Sequence, residues 1–216
     1  MAFIDNTMFE IKVSNTARND TQNVAGKFAT SYSSADPLAA VADCSAGILC
    51  TKRGLIKNEG YTGIYNGNTW VFTPGDDMSA TMTQGTGVYA CNTHDVAKVI
   101  NGDLIYNIPA NTLGLGCPAG EYCNFTEIIV GEQYEFGAGN FSTLPPDNTD
   151  FQGDTPYFAT IDSNGLLVAT DDISAFTGGL LFRILRTEPK NEGVTYWGIG
   201  YILEAMKVGD MSQLGN

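Results

Sequence analysis

The sequence predicts an all-β protein, an antiparallel sandwich or barrel with short helices and an extended N-terminal arm. Three observations carry that expectation. Apolar and polar residues alternate over short runs, as in Phe9-Glu10-Ile11-Lys12-Val13. Turn signals separate these runs at intervals of roughly 8–12 residues. No stretch carries the 3.6-residue period of a long helix, and no βαβ rhythm appears.

Taken in order, residues 1–35 read as an N-terminal arm. Its edge strand offers Phe9, Ile11 and Val13 to a partner. Ser14 to Gln22 is polar and unpatterned, and Lys27 to Ser33 reads as a further strand anchored by Phe28 and Tyr32. Residues 36–210 form a β-rich body with two related halves, 36–101 and 102–210. Asp36-Pro37 places a capping Asp before a first-turn Pro, so a short helix is expected over Leu38–Val41. Asn66-Gly67 predicts a hairpin between strands at 61–65 and 69–73. A strand is expected at 86–91 and a second short helix from Thr93 to Ile100. Asp103–Ile108 reads as a strand. A hairpin over 157–169 turns at Asp162-Ser163-Asn164-Gly165, and strands at 180–187 and 194–208 close the chain.

The halves are linked by a repeated unit. Cys44-Ser45-Ala46-Gly47-Ile48-Leu49-Cys50 echoes Cys117-Pro118-Ala119-Gly120-Glu121-Tyr122-Cys123. At the same offset Ile56, Glu59 and Tyr61 match Ile129, Glu132 and Tyr134. Each unit reads as a turn leading into a strand. The bracketing pairs, Cys44 with Cys50 and Cys117 with Cys123, either bridge as disulfides or pack as buried thiols. A bridge over so short a loop contributes about 2–2.5 kcal/mol in the chain-entropy model. Five cysteines leave Cys91 over.

Composition narrows the function. The chain has 216 residues, a net charge of -13 and only 16% charged residues. A phosphate-binding surface needs clustered Lys and Arg, so nucleic acid is not an expected partner. An anionic membrane surface repels such a chain as well. The N-terminus lacks the basic start and apolar core of a secretory signal, which predicts synthesis in a cytoplasm.

Catalytic constellations are weak. His94 is the only histidine and has no marked nucleophile beside it. Cys91, His94, Cys117 and Cys123 lack the close C-x₂₋₄-C spacing of structural zinc. Glu127, Glu132, Glu135 and Glu204 alternate with apolar neighbours, the pattern of a strand's wet face. Asp147, Asp150, Asp171 and Asp172 lack the regular spacing of a calcium loop. No enzyme activity, cofactor or metal is expected. Trp70, Tyr61, Trp197 and Tyr201 are the aromatics from which a carbohydrate- or receptor-binding platform, as in a phage fibre or adhesin, would be built.

The second half adds a resemblance. Tyr106–Gly114, Ala119-Gly120, Phe125–Ile128, Val130-Gly131 and Phe136–Phe141 follow a hydrophobic and glycine spacing. It continues through Tyr157–Val168, Phe182–Arg186 and Gly200–Lys207. This spacing resembles head decoration (cement) proteins of tailed bacteriophages. The resemblance implies a non-enzymatic β-rich virion protein on the capsid exterior. It would bind the major capsid protein, act as a homo-oligomer such as a trimer, and stabilise the shell.

Overall fold

The computed structural model of the chain describes residues 7–13, 23–56, 69–75, 87–92, 97–100, 103–107, 116–147, 149–153, 155–174, 176, 179–192 and 195–208. It is all-β. Five strands close a barrel in the order β10 (Cys123–Glu127), β2 (Asn23–Phe28), β5 (Thr69–Pro74), β4 (Leu49–Ile56), β6 (Val88–Asn92). Within the barrel, among the described pairings, β2 and β5 alone run parallel.

A seven-stranded sheet packs on the barrel. Its order is β1 (Phe9–Val13), β11 (Gln133–Gly137), β16 (Thr195–Val208), β15 (Gly179–Glu192), β13 (Tyr157–Ile161), β14 (Leu167–Thr170), β12 (Phe141–Thr143). Two short ladders complete the fold: β3 (Cys44–Ser45) with β9 (Gly116–Cys117), and β7 (Ala97–Ile100) with β8 (Asp103–Asn107).

There are two cores, and β6 serves both. Val88, Tyr89, Ala90 and Cys91 are all buried, so this strand is covered on both faces. Val88 and Ala90 join Leu49 and Ile128 against the sheet's inner face, where Tyr134, Phe136, Phe182, Ile184 and Leu203 lie. Tyr89 and Cys91 point inside the barrel with Phe28, Cys50, Phe72 and Phe125. Phe72 stacks on Phe125 with ring centroids 3.9 Å apart. Burial of so many aromatic and branched side chains, at roughly 1.5–3 kcal/mol each, drives the fold.

Backbone-directed bonds fix barrel to sheet. Asn140 is buried; its Oδ1 accepts from the Met8 and Gly137 amides at 2.8 and 3.0 Å, and its Nδ2 donates to the Ala46 carbonyl at 2.7 Å. The Leu49 amide donates to the Gly165 carbonyl at 2.9 Å. Gly165 has φ 76°, and a Cβ there would run into the Leu49 carbonyl. The Asp162–Gly165 turn is itself tied by Asp162 Oδ1, which accepts from the Asn164 and Leu166 amides.

The repeated unit has a structural meaning. Gly47 and Gly120 both take positive φ, 74° and 79°, in the turns that lead into β4 and β10. Those two strands flank β6 on either side. The leading residues of the two units pair with each other, Cys44 opposite Cys117 and Ser45 opposite Gly116. The barrel therefore draws its strands from both sides of residue 101.

Several expectations are corrected. The N-terminal strand is not an extended arm. Phe9 and Ile11 lie opposite Phe136 and Tyr134 of β11, and Val13 lies opposite Gln133 across a bulge. Phe9 stacks on Tyr134 at 5.7 Å. Phe9 and Ile11 pack against those rings within the chain, and β1 forms one edge of the seven-stranded sheet. The helix expected over Leu38–Val41 is a turn, with bonds from Ala39 to Asp36 and from Val41 to Leu38 only. Val41 bridges to Ala29 instead, because so short a segment cannot offset the cost of helix nucleation. Of the helix expected from Thr93 to Ile100, residues 97–100 form β7 instead, with Ile100 opposite Asp103 of β8, a state that β-branched Val99-Ile100 favours; residues 93–96 lie outside the described residues. The hairpin tip at Asn66-Gly67, its 61–65 strand, and residues 1–6 and 14–22 lie outside the described residues.

Candidate functional site

A cleft of about 390 Å³ opens where the barrel meets the sheet. Thr30, Ser31 and Tyr32 reach it from the segment after β2, Arg53 from β4, Thr73 and Pro74 from β5, and Ser163 from the β13–β14 turn. Each is placed by backbone structure already described. Arg53 Nε donates to Thr73 Oγ1 at 2.8 Å, which fixes the guanidinium along β5. The Tyr32 hydroxyl fills the space a Cβ would need at residue 54, so Gly54 is what admits it. Below, Thr51 donates to the Gly75 carbonyl at 2.8 Å.

The lining carries five hydroxyls, from Thr30, Ser31, Tyr32, Thr73 and Ser163, beside one guanidinium. That set offers donors and acceptors at close spacing, with Tyr32 as an aromatic wall. It suits a polyhydroxylated ligand. Among the described residues, the lining includes no carboxylate, thiol or imidazole.

Two of the four carboxylates are placed differently from the wet face expected of them, while Glu127 and Glu204 stay partly exposed. Glu132 and Glu135 are fully buried. Tyr134 donates its hydroxyl to Glu132 Oε2 at 2.8 Å and accepts the Ile129 amide at 2.8 Å, which closes the turn at Gly131. Glu135 pairs with Lys12 at 2.6 Å, and the same Nζ lies 3.3 Å from Glu10 and 3.8 Å from Glu188. Arg186 completes the row with bonds of 2.9 and 3.0 Å to Glu188. This charged stripe crosses the sheet's outer face. Gly200 makes room for it, since a Cβ there would collide with the Glu135 carboxylate. The alternation of Glu10 and Lys12 with Phe9, Ile11 and Val13 was the visible signal; the partner on β11 was not.

All five cysteines gather at one end of the barrel. Cys117 and Cys123 form a disulfide, with Cα atoms 5.6 Å apart. Cys44 and Cys50 do not bridge; with Cys91 they are buried free thiols. The Cys91 thiol donates to the Cys44 carbonyl at 3.9 Å and the Cys50 thiol to the Ile48 carbonyl at 3.5 Å, and burial pushes both Cys44 and Cys50 above the ordinary thiol range. The strand register explains the difference between the two loops. Cys50 lies inside β4, opposite Tyr89 and Pro74, whereas Cys123 opens β10 at the foot of its turn.

Of the aromatic set, the side chains of Trp70 and Tyr201 fall among the described residues, and they belong to different cores. Trp70 is capped by Lys52, whose Nζ sits 4.6 Å above its ring and 5.4 Å from Tyr89. Tyr89 is pushed up to about 12 by burial first and then by the Glu127 carboxylate across the strand pair. Tyr201 is buried against Phe141 at 4.9 Å. Tyr61, His94 and the Trp197 side chain lie outside the described residues. Among the described residues no group of three His, Cys, Asp or Glu is placed to hold a metal ion. Asp172 is an exposed loop acid held below the usual range by the Ser174 amide.

No family model, no curated protein and no solved structure matches this chain.

Proposed function

We propose that the chain is a structural virion protein of a tailed bacteriophage. It binds the capsid exterior through the major capsid protein, stabilises the shell as a homo-oligomer, and performs no catalysis. The observation that carries this reading is the β15–β16 hairpin. Its strands are 14 residues each, yet β11 pairs with β16 only over Gly200–Glu204, and β13 pairs with β15 only over Phe182–Ile184. Beyond Glu188 and Gly200 the hairpin has no lateral strand among the described residues. Five residues of β16 extend about 17 Å at the usual strand rise. A lone two-stranded ribbon is marginal in water, so a partner's surface is its natural complement. Ile199, 42% exposed and opposite Pro189, gives the ribbon an apolar contact. The resembling segments Phe136–Phe141, Tyr157–Val168, Phe182–Arg186 and Gly200–Lys207 fall on the sheet that bears it.

Two measurements test the reading. The protein should co-purify with intact virions and raise the temperature at which the shell opens; absence from purified particles overturns the proposal. Ile199→Asp should lower particle occupancy about tenfold, a loss of about 1.4 kcal/mol, while the isolated protein melts within about 2 °C of wild type. Unchanged occupancy would remove the ribbon from the interface.

The cleft favours a second reading, a carbohydrate-binding β module, because of its hydroxyl lining and single guanidinium. There, Arg53→Ala should abolish binding of whatever glycan an array identifies. An array without hits removes this alternative.

A further inference from the structure

The cysteine cluster connects a bonded pair to three thiols through one residue. Cys44 lies directly opposite Cys117 in the β3–β9 ladder. It also packs in one core with Cys50 on β4 and Cys91 on β6, and the Cys91 thiol reaches the Cys44 carbonyl at 3.9 Å. Directly opposed residues of an antiparallel ladder stand about 4.5–5.5 Å apart at Cα. That lies inside the window in which a disulfide closes without backbone movement. The ladder is drawn tight by Gly116, where a Cβ would collide with the Cys44 carbonyl. All of these sulfurs are buried in one core, which holds them together.

We propose that this cluster is an intramolecular thiol–disulfide exchange centre, with Cys44 as the attacking residue on Cys117. The Cys44 thiol loses its proton, and its sulfur attacks Cys117 Sγ. The Cys44–Cys117 bond forms as the Cys117–Cys123 bond breaks. Cys123 leaves as a thiolate and takes up a proton. One disulfide is present before and after, so no oxidant or reductant is consumed. The original bond closes only the turn before β10, within one repeated unit. The new bond ties the two units together across β3 and β9 and closes a far longer loop, which constrains the unfolded chain more.

The thiolate is the reacting form. The titratable groups packed on Cys44 are Cys50 and Cys91, with bonded Cys117 across the ladder. Asp43, next in the chain, is occupied by the Ala119 amide at 2.9 Å. Burial first, and then the neighbouring thiols, hold Cys44 well above the ordinary thiol range. At neutral pH exchange is therefore slow. Its rate should climb about tenfold per pH unit from 7 to 9 without levelling off, as the thiolate fraction does below the pKa.

Peptide mapping reads the step directly. Trypsin leaves Cys117 and Cys123 on one peptide, between Lys98 and Arg183, and Cys44 on another, between Lys27 and Lys52. Exchange thus converts an internal loop into a crosslink. The full-length protein is incubated at pH 7, 8 and 9 without added thiol, quenched in acid, alkylated and digested. The expected result is a Cys44–Cys117 crosslink that forms faster with pH and is lost in Cys44→Ser. As a second arm, Cys123→Ser is treated with oxidised glutathione; the expected product is the same crosslink, with Cys50 and Cys91 still alkylated. Absence of the crosslink from the untreated protein at pH 9 overturns the proposal, even where glutathione closes it in Cys123→Ser, as does a crosslink that persists in Cys44→Ser.

Discussion

Lys12→Met should destabilise the chain by about 3 kcal/mol, the low end of the cost of orphaning a buried charge. Methionine keeps the apolar stem of the lysine, so the change isolates the charge. Glu135 is fully buried, and its carboxylate would lose the ammonium 2.6 Å away. The low end is chosen because the Lys12 side chain retains 21% exposure, so water can relax part of the penalty. Urea unfolding should give a lower midpoint with an unchanged slope. The double variant Lys12→Met with Glu135→Gln should recover at least about half of the loss, because it removes the orphaned charge. A single-variant cost below about 1 kcal/mol would mean that solvent reaches Glu135, and the stripe would count as ordinary surface pairing.

Phe72→Ala should cost about 3–5 kcal/mol, the range for large aromatic truncations in a packed core. Phe72 is fully buried inside the barrel, stacked on Phe125 and edge-on to Tyr89 at 5.3 Å. Its ring occupies space that Gly26 leaves vacant on β2, where a Cβ would strike it. A closed five-stranded barrel has little freedom to shrink, so the cavity should persist. Phe72→Leu, which refills most of the volume, should cost roughly 1–2 kcal/mol. Equal losses for the two variants in a calorimetric comparison would contradict the cavity argument, because shape rather than volume would then govern.

Much of the fold was legible because local rules and tertiary structure agree. The alternation at Phe9–Val13 and the turn at Asp162–Gly165 each became the expected element. The repeated cysteine unit was visible because its turn chemistry is local: a positive-φ glycine before a strand. What stayed hidden depends on non-local pairing. Alternation alone assigned Glu135 to water, since nothing in its neighbourhood announces Lys12 on a distant strand or the missing side chain of Gly200. The parallel pairing of β2 with β5 is equally silent, because parallel neighbours share no turn. Cys44 and Cys50 look equivalent to Cys117 and Cys123 in spacing, yet Cys50 is locked within a ladder on both sides. The cleft has no sequence signature at all. Its residues come from four separate segments, and five of the seven share only a hydroxyl.

The double burial of β6 makes the molecule one cooperative unit. Its alternate side chains belong to different cores, Val88 and Ala90 to one, Tyr89 and Cys91 to the other. Opening the barrel strips a wall from the sheet's core, and peeling off the sheet exposes the back of the barrel. Neither layer has a free energy of its own that could be measured while the other stays intact. Amide protons along this strand can therefore exchange with solvent only when the whole chain unfolds.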